Sequence, residues 1–242
     1  MKTKFFIFFF LLTVSFTLSS FAFQQKVDPL SKATSPDIAL NNGPNTITKV
    51  VESNGKTERD SSYNLINTRY KAAVNRLKPQ AASIREYAKK NNYSSDYVFL
   101  VDMSLPSGKN RFFVYNLKKD TLERSALVCH GFGSTIKTSE DQLIFSNNNY
   151  SFKTSLGKYK IGSSYNGAYG LAFKLYGLDS TNSKAFERAI VLHSDIHIPN
   201  AETYPYKIFQ SQGCPAVTPS FLPILGNYIK ASKKPILMWI YN

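Results

Sequence analysis

The sequence predicts a mainly β domain: an antiparallel sheet or small barrel with helices outside it. Three observations carry this. From Tyr97 onward, short runs rich in Val, Ile, Phe and Tyr alternate with clusters of Gly, Ser and Asn. Helical periodicity is confined to a stretch ending near Asn92 and to one later segment. No internal repeat is visible, and 242 residues at 43% hydrophobic content suffice for one substantial core.

The opening segment, MKTKFFIFFFLLTVSFTLSSFAFQQ, places Lys2 and Lys4 before an apolar run, with small residues Ser20 and Ala22 after it. This pattern predicts a signal peptide over residues 1–22 and a periplasmic or secreted mature chain. Residues 23–60 are polar and rich in Asn, Ser, Thr and Pro, which predicts a linker with at most a short strand at Ile47–Val51. A helical segment follows over 61–94. Leu65, Ile66, Tyr70, Val74 and Leu77 share helical spacing, Pro79 predicts a break after Lys78, and Ala81, Ile84 and Ala88 line a second helix.

A strand-rich domain is expected over 95–242. YVFLVDM from Tyr97 is strand-like. Arg111–Asn116 and Leu122–Cys129 form the arms of a hairpin with Lys118, Lys119 and Asp120 at its turn. Strands follow at Lys158–Gly162, Leu171–Tyr176 and Ala189–His193. PSFLPILGNYIKASK predicts a helix beginning near Pro219, and KPILMWIY a closing strand.

Formal net charge is +14, from 30 Lys and Arg against 16 Asp and Glu. A basic chain favours acidic partners: nucleic acid, anionic lipid or an anionic polymer, such as those of a cell envelope. The lysines are scattered rather than run together, which argues against nucleic acid. The chain lacks a GxGxxG after a strand and a P-loop, so no nucleotide or other cofactor is implied.

Two cysteines, Cys129 and Cys214, would meet an oxidising compartment. A disulfide between them is one reading. A nucleophilic Cys214 is the other, and it needs a base nearby. His193 ends the apolar run AIVL, where a strand end can reach a cleft. Gly213 in SQGCPAV lets backbone approach a carbonyl, and Ser211 supplies a hydroxyl. A metal reading would join His193, Asp195 and His197, but no familiar ligand spacing accompanies them, so no metal is expected. His130 lies in CHGFGS, similar to an esterase oxyanion loop, yet the GxSxG elbow that such a loop serves is missing.

With these residues in view, the chain resembles the L,D-transpeptidases of bacterial cell walls. Their signature is a His, a variable stretch, then Ser or Thr, His, Gly and Cys. His193, Ser211, Gly213 and Cys214 match it. Gln212 stands where His is common, Pro215 where a small or hydrophobic residue is usual, and Ala216 where Arg or Asn is common. The GCPA stretch at 213–216 is similar to the divergent branch called murein L,D-transpeptidase catalytic-domain proteins. KTSLGKYKIG, with Ser155 and Gly157 matched and Leu156 replacing a Pro, supports this, as do YGLAFKLYGLD, RAIVLHS and ALVCHGFGS. The resemblance covers 95–242.

It implies an L,D-transpeptidase-like β-sandwich or barrel with peripheral helices and an N-terminal helical extension. It also implies a chemistry. Cys214 attacks the carbonyl before a terminal D-alanine of a peptidoglycan stem, and His193 takes the thiol proton. Backbone N–H groups around Gly213 and Cys214 hold the oxyanion. Gln212 in place of His supplies only an amide. We expect His130, Tyr165 and Tyr169 at the substrate rim. Water as acceptor would make the protein an L,D-carboxypeptidase or cysteine peptidase. A Cys129–Cys214 disulfide would make it a non-catalytic wall-associated protein.

Overall fold

The computed structural model describes residues 55–135, 138, 142–168 and 170–242, with side chains from residue 64 onward. The signal-peptide segment, the strand expected at Ile47–Val51, most of the linker and Tyr169 lie outside the described residues. Among the described residues, no helix is long and apolar enough to cross a membrane.

Eight strands form one sheet. In chain order they are β1 (Tyr97–Asp102), β2 (Phe112–Asn116), β3 (Thr121–Ala126), β4 (Gly157–Gly167), β5 (Gly170–Gly177), β6 (Val191–Ser194), β7 (Ala216–Val217) and β8 (Leu237–Tyr241). Their order across the sheet is β3-β2-β1-β8-β4-β5-β6-β7. The expected hairpin is β2 and β3, paired antiparallel with Phe112 opposite Ala126. Most pairings are antiparallel, but β1 pairs β8 and β6 pairs β7 in parallel. The expected strand at Ala189–His193 starts later, at Val191, because Ala189 sits at φ +54 and turns the chain.

The central strands are apolar at nearly every position because both sheet faces are covered. Side chains alternate between faces. Val98 and Leu100 pack with Leu77, Ile84 and Ala88 of helix α1 (Gly55–Lys90). Phe99 and Val101 pack on the opposite face with Phe221, Leu222 and Leu225 of helix α2 (Phe221–Ala231). Burying that many aliphatic and aromatic groups is the main favourable term, at about 25 cal/mol per Å² of apolar surface.

The break expected at Pro79 is absent: α1 runs unbroken through it, and it starts at Gly55, inside the segment read as linker. Pro79 and Asn75, whose carbonyl loses its helical donor, are both exposed. Water can satisfy that carbonyl, while Ala73, Leu77, Ala81, Ile84 and Ala88 bury the opposite stripe. Packing outweighs the local penalty. In α2, Pro223 falls in the first turn, where its missing N–H would have had no helical partner.

Candidate active site

The β6–β7 pairing builds the site. Its parallel register sets His193 opposite Ala216, two residues beyond Cys214. His193 and Cys214 line one cavity of about 830 Å³, together with Ser211, Gln212 and Tyr165.

The His193 ring is buried, and its Nδ1 lies 2.9 Å from the Ser194 carbonyl oxygen. A carbonyl only accepts, so Nδ1 carries the proton and Nε2 the lone pair. Burial pulls the His193 pKa below its ordinary 6.5, partly countered by the Ser194 carbonyl and the Asp195 charge. The Cys214 thiol contacts the Ala189 carbonyl at 3.7 Å. Burial pushes its pKa above the ordinary 9.0, countered by the Val191 N–H and the Arg188 charge. Both shifts favour a neutral pair, thiol and imidazole, at rest.

Ser211, at the cavity wall, braces the cysteine loop. Its hydroxyl donates to the Cys214 carbonyl at 2.6 Å and accepts the Gly213 N–H at 3.0 Å. The Gly213 N–H, expected among the oxyanion donors, is therefore engaged within the loop. Gly213 has φ +118, and a Cβ there would meet the Lys153 carbonyl oxygen at 3.0 Å. The turn that presents Cys214 thus calls for a glycine. Gln212 is exposed at the cavity wall, and Tyr165 is half-exposed there.

His130 is not at the rim. It is fully buried, and its carbonyl accepts the Ser211 N–H at 2.9 Å. Arg111 donates to its Nδ1 at 2.8 Å, and the Gln210 amide lies 3.1 Å from its Nε2. Arginine has no acceptor, so a neutral His130 must bear its proton on Nε2. The Gln210 group facing it is then the amide oxygen. Burial, with the Arg111 and Lys207 charges, pulls the His130 pKa down to about 3. The expectation failed because CHGFGS reveals its neighbours along the chain but not its depth.

Cys129 and Cys214 are both free thiols. Cys129 is fully buried, and its thiol donates to the Cys214 carbonyl at 3.6 Å. Burial pushes its pKa up to about 11. The disulfide reading is not what the structure holds. Among the described residues, no group of three or more His, Cys, Asp or Glu could hold a metal ion. His197 instead bonds Asp195 at 2.7 Å and stacks on Phe209.

Sequence reasoning missed Arg188. It lines the cavity beside Cys214. Its guanidinium is pinned by the Ser146 carbonyl at 2.8 Å, the Lys153 carbonyl at 2.6 Å and the Ser155 hydroxyl at 3.1 Å. Its position five residues before His193, in RAIVLHS, was the available signal.

Comparison with known proteins adds the family. A family model described as the L,D-transpeptidase catalytic domain matches residues 68–241. No curated protein matches. Among solved structures, Bd1075 of Bdellovibrio bacteriovorus is 18% identical, with 62% of this chain and 49% of that one covered and a TM-score of 0.39. The helical cell shape determining protein Pgp2 of Campylobacter jejuni (K307A mutant) is 16% identical, with 62% and 49% covered and a TM-score of 0.39. An L,D-transpeptidase from Xylanimonas cellulosilytica is 14% identical, with 64% and 68% covered and a TM-score of 0.35. The match spans about half the length of the first two. With a family model matched over most of its length, the chain belongs to the L,D-transpeptidase catalytic domain family.

Proposed function

We propose that the protein is an exported L,D-transpeptidase that acts on peptidoglycan stem peptides, with Cys214 as nucleophile and His193 as general base. The observation that carries this reading is the β6–β7 register, which brings His193 alongside Cys214 on one cavity. A signal peptide over residues 1–22 would deliver the chain to the periplasm or beyond. Removal of Lys2 and Lys4 with that segment leaves 28 Lys and Arg against 16 Asp and Glu, a net +12 that suits anionic envelope polymers.

The chemistry follows from the resting state. A neutral thiol is a weak nucleophile, so its proton passes to His193 Nε2 as sulfur attacks. The S–C bond forms and the carbonyl electrons move to oxygen. With the Gly213 N–H committed to Ser211, the Cys214 N–H is the loop's backbone donor for that oxyanion. As the tetrahedral species collapses, the C–N bond breaks and His193 protonates the departing D-alanine amine. A thioester remains on Cys214. An acceptor amine then gives its proton to His193 as its nitrogen attacks, the C–S bond breaks, and the thiol is restored. Arg188 supplies a fixed positive charge beside the sulfur throughout.

The test is intact-protein mass spectrometry of the mature chain, reduced and incubated with disaccharide-tetrapeptide, beside Cys214→Ser. An acyl adduct on Cys214 that disappears in the variant supports the reading. Crosslinked products indicate transpeptidation, and disaccharide-tripeptide indicates a carboxypeptidase. A protein that stays unmodified while folded and reduced would refute it.

A further inference from the structure

The cavity is richer in aromatic rings than thiol chemistry requires. Phe132, Tyr150, Phe152, Tyr165 and Phe209 all line it. Tyr150 is 88% exposed and Phe209 is 39% exposed. Large rings left open to water around a cavity mark a contact surface.

The segment bearing two of them is held in a costly shape. Tyr150 has φ +58 and Phe152 φ +53, a region that bulky side chains rarely adopt. Surrounding structure enforces it. The Gly133 N–H donates to the Phe152 carbonyl at 3.0 Å, and Arg188 grips the Lys153 carbonyl. A Cβ on Gly131 would stand 2.2 Å from the Phe152 carbonyl oxygen, so the segment sits directly against that backbone. The Phe152 ring is backed by Phe132, stacked at 5.0 Å, and Phe209 is backed by His197 at 5.4 Å. These two rings are fixed before any ligand arrives.

Planar polar groups share the lining with the rings, among them Asn149, Glu187, Asp195 and Gln212. Among the described residues, Arg188 is the one Lys or Arg in the lining, against two carboxylates. A strongly basic chain therefore presents a cavity with no concentration of positive charge. That lining does not suit a polyanion. It suits a pyranose, whose C–H face stacks on an aromatic ring while its equatorial hydroxyls meet amides and carboxylates.

We propose that this aromatic wall, with Tyr150 and Phe209 as its exposed rings, is a saccharide subsite. It seats the sugar that carries the stem peptide whose carbonyl Cys214 attacks. The inference rests on the proposed function and narrows it: the substrate is the glycan-linked stem rather than the free peptide.

Two measurements test it. The first compares acylation rates of Cys214 by disaccharide-tetrapeptide and by the same tetrapeptide without sugar, in wild type, Tyr150→Ala and Phe209→Ala. Wild type should prefer the sugar-bearing donor by about tenfold, the worth of one good stacking contact. The preference should fall toward unity in each variant. A wild type without preference, or a preference untouched by both substitutions, overturns the subsite. The second is saturation-transfer NMR of the peptidoglycan disaccharide alone with Cys214→Ser protein, which needs no turnover. Transfer to the sugar that weakens in Tyr150→Ala supports the subsite, and absence of transfer overturns it. If neither donor acylates Cys214 yet the sugar binds, the catalytic reading fails and the saccharide site stands.

Discussion

Two layers of this molecule each hold a cysteine and a histidine, one behind the other across Ser211. In the front layer, Cys214 and His193 face the cavity. In the rear layer, Cys129 and His130 are sealed from solvent. The shifts run in the same direction in both, thiol up and imidazole down, because burial penalises either charge. What separates them is access and company. The front pair opens on a space that a substrate can enter, with Arg188 beside the sulfur. The rear pair spends its polar atoms on Arg111, Gln210 and the Cys214 carbonyl. Residue type alone does not make a reactive centre.

The sharpest break in this comparison is deletion of the proposed nucleophile. Cys214→Ser should lower the acylation rate by on the order of a thousandfold or more, while Cys129→Ser should still form the adduct, both read by intact mass. Equal losses would make the two layers one functional unit. Next comes the base. His193→Gln should slow single-turnover acylation by about 10²–10⁴-fold at neutral pH, the usual worth of a positioned base.

The third effect concerns stability. His130 titrates near 3 in the folded chain against an ordinary 6.5, so unfolding takes up a proton between those values. Its stabilising contribution is complete above about pH 6.5 and is lost progressively as pH falls toward 3. Urea midpoints should therefore drop between pH 7 and 4.5, and His130→Gln should flatten that slope. An unchanged slope would mean that His130 is not sealed as described. His193 shifts the same way and adds a smaller share. The smallest effect is Arg188. Wild-type Cys214 alkylation should keep rising beyond pH 9, since its pKa lies above that value. Arg188→Gln should push the profile higher and slow alkylation at pH 8 by about tenfold, and Arg188→Lys should recover part of it. Identical profiles would remove the charge from the account of the thiol.

Much of the architecture was legible because strands covered on both faces write themselves as apolar runs. YVFLVD, the first hairpin arm FFVYN and LMWIY are plain in the sequence. His193 and Cys214 were legible through chemistry and spacing, and Gly213 through its loop. Depth was not legible. His130 and Cys129 sit next to each other in sequence exactly as rim residues would, and only the arrival of Arg111 and Gln210 from elsewhere buries them. Nor did Pro79 announce that its freed carbonyl faces water. Arg188 was not legible as a site residue because its partners, Ser146, Lys153 and Ser155, lie more than thirty residues away.

The position of β8 has a consequence for how the chain assembles. It follows every other strand in chain order yet stands between β1 and β4, joining the α1-covered strands to those that carry the cavity. Until residues 237–241 are available, those two groups have no strand between them, and the nascent chain holds two open sheet edges. Closure of the sheet is thus a late, long-range event, of the kind that folds slowly and exposes edges meanwhile. A chain lacking those five residues would keep both edges open to unwanted strand pairing.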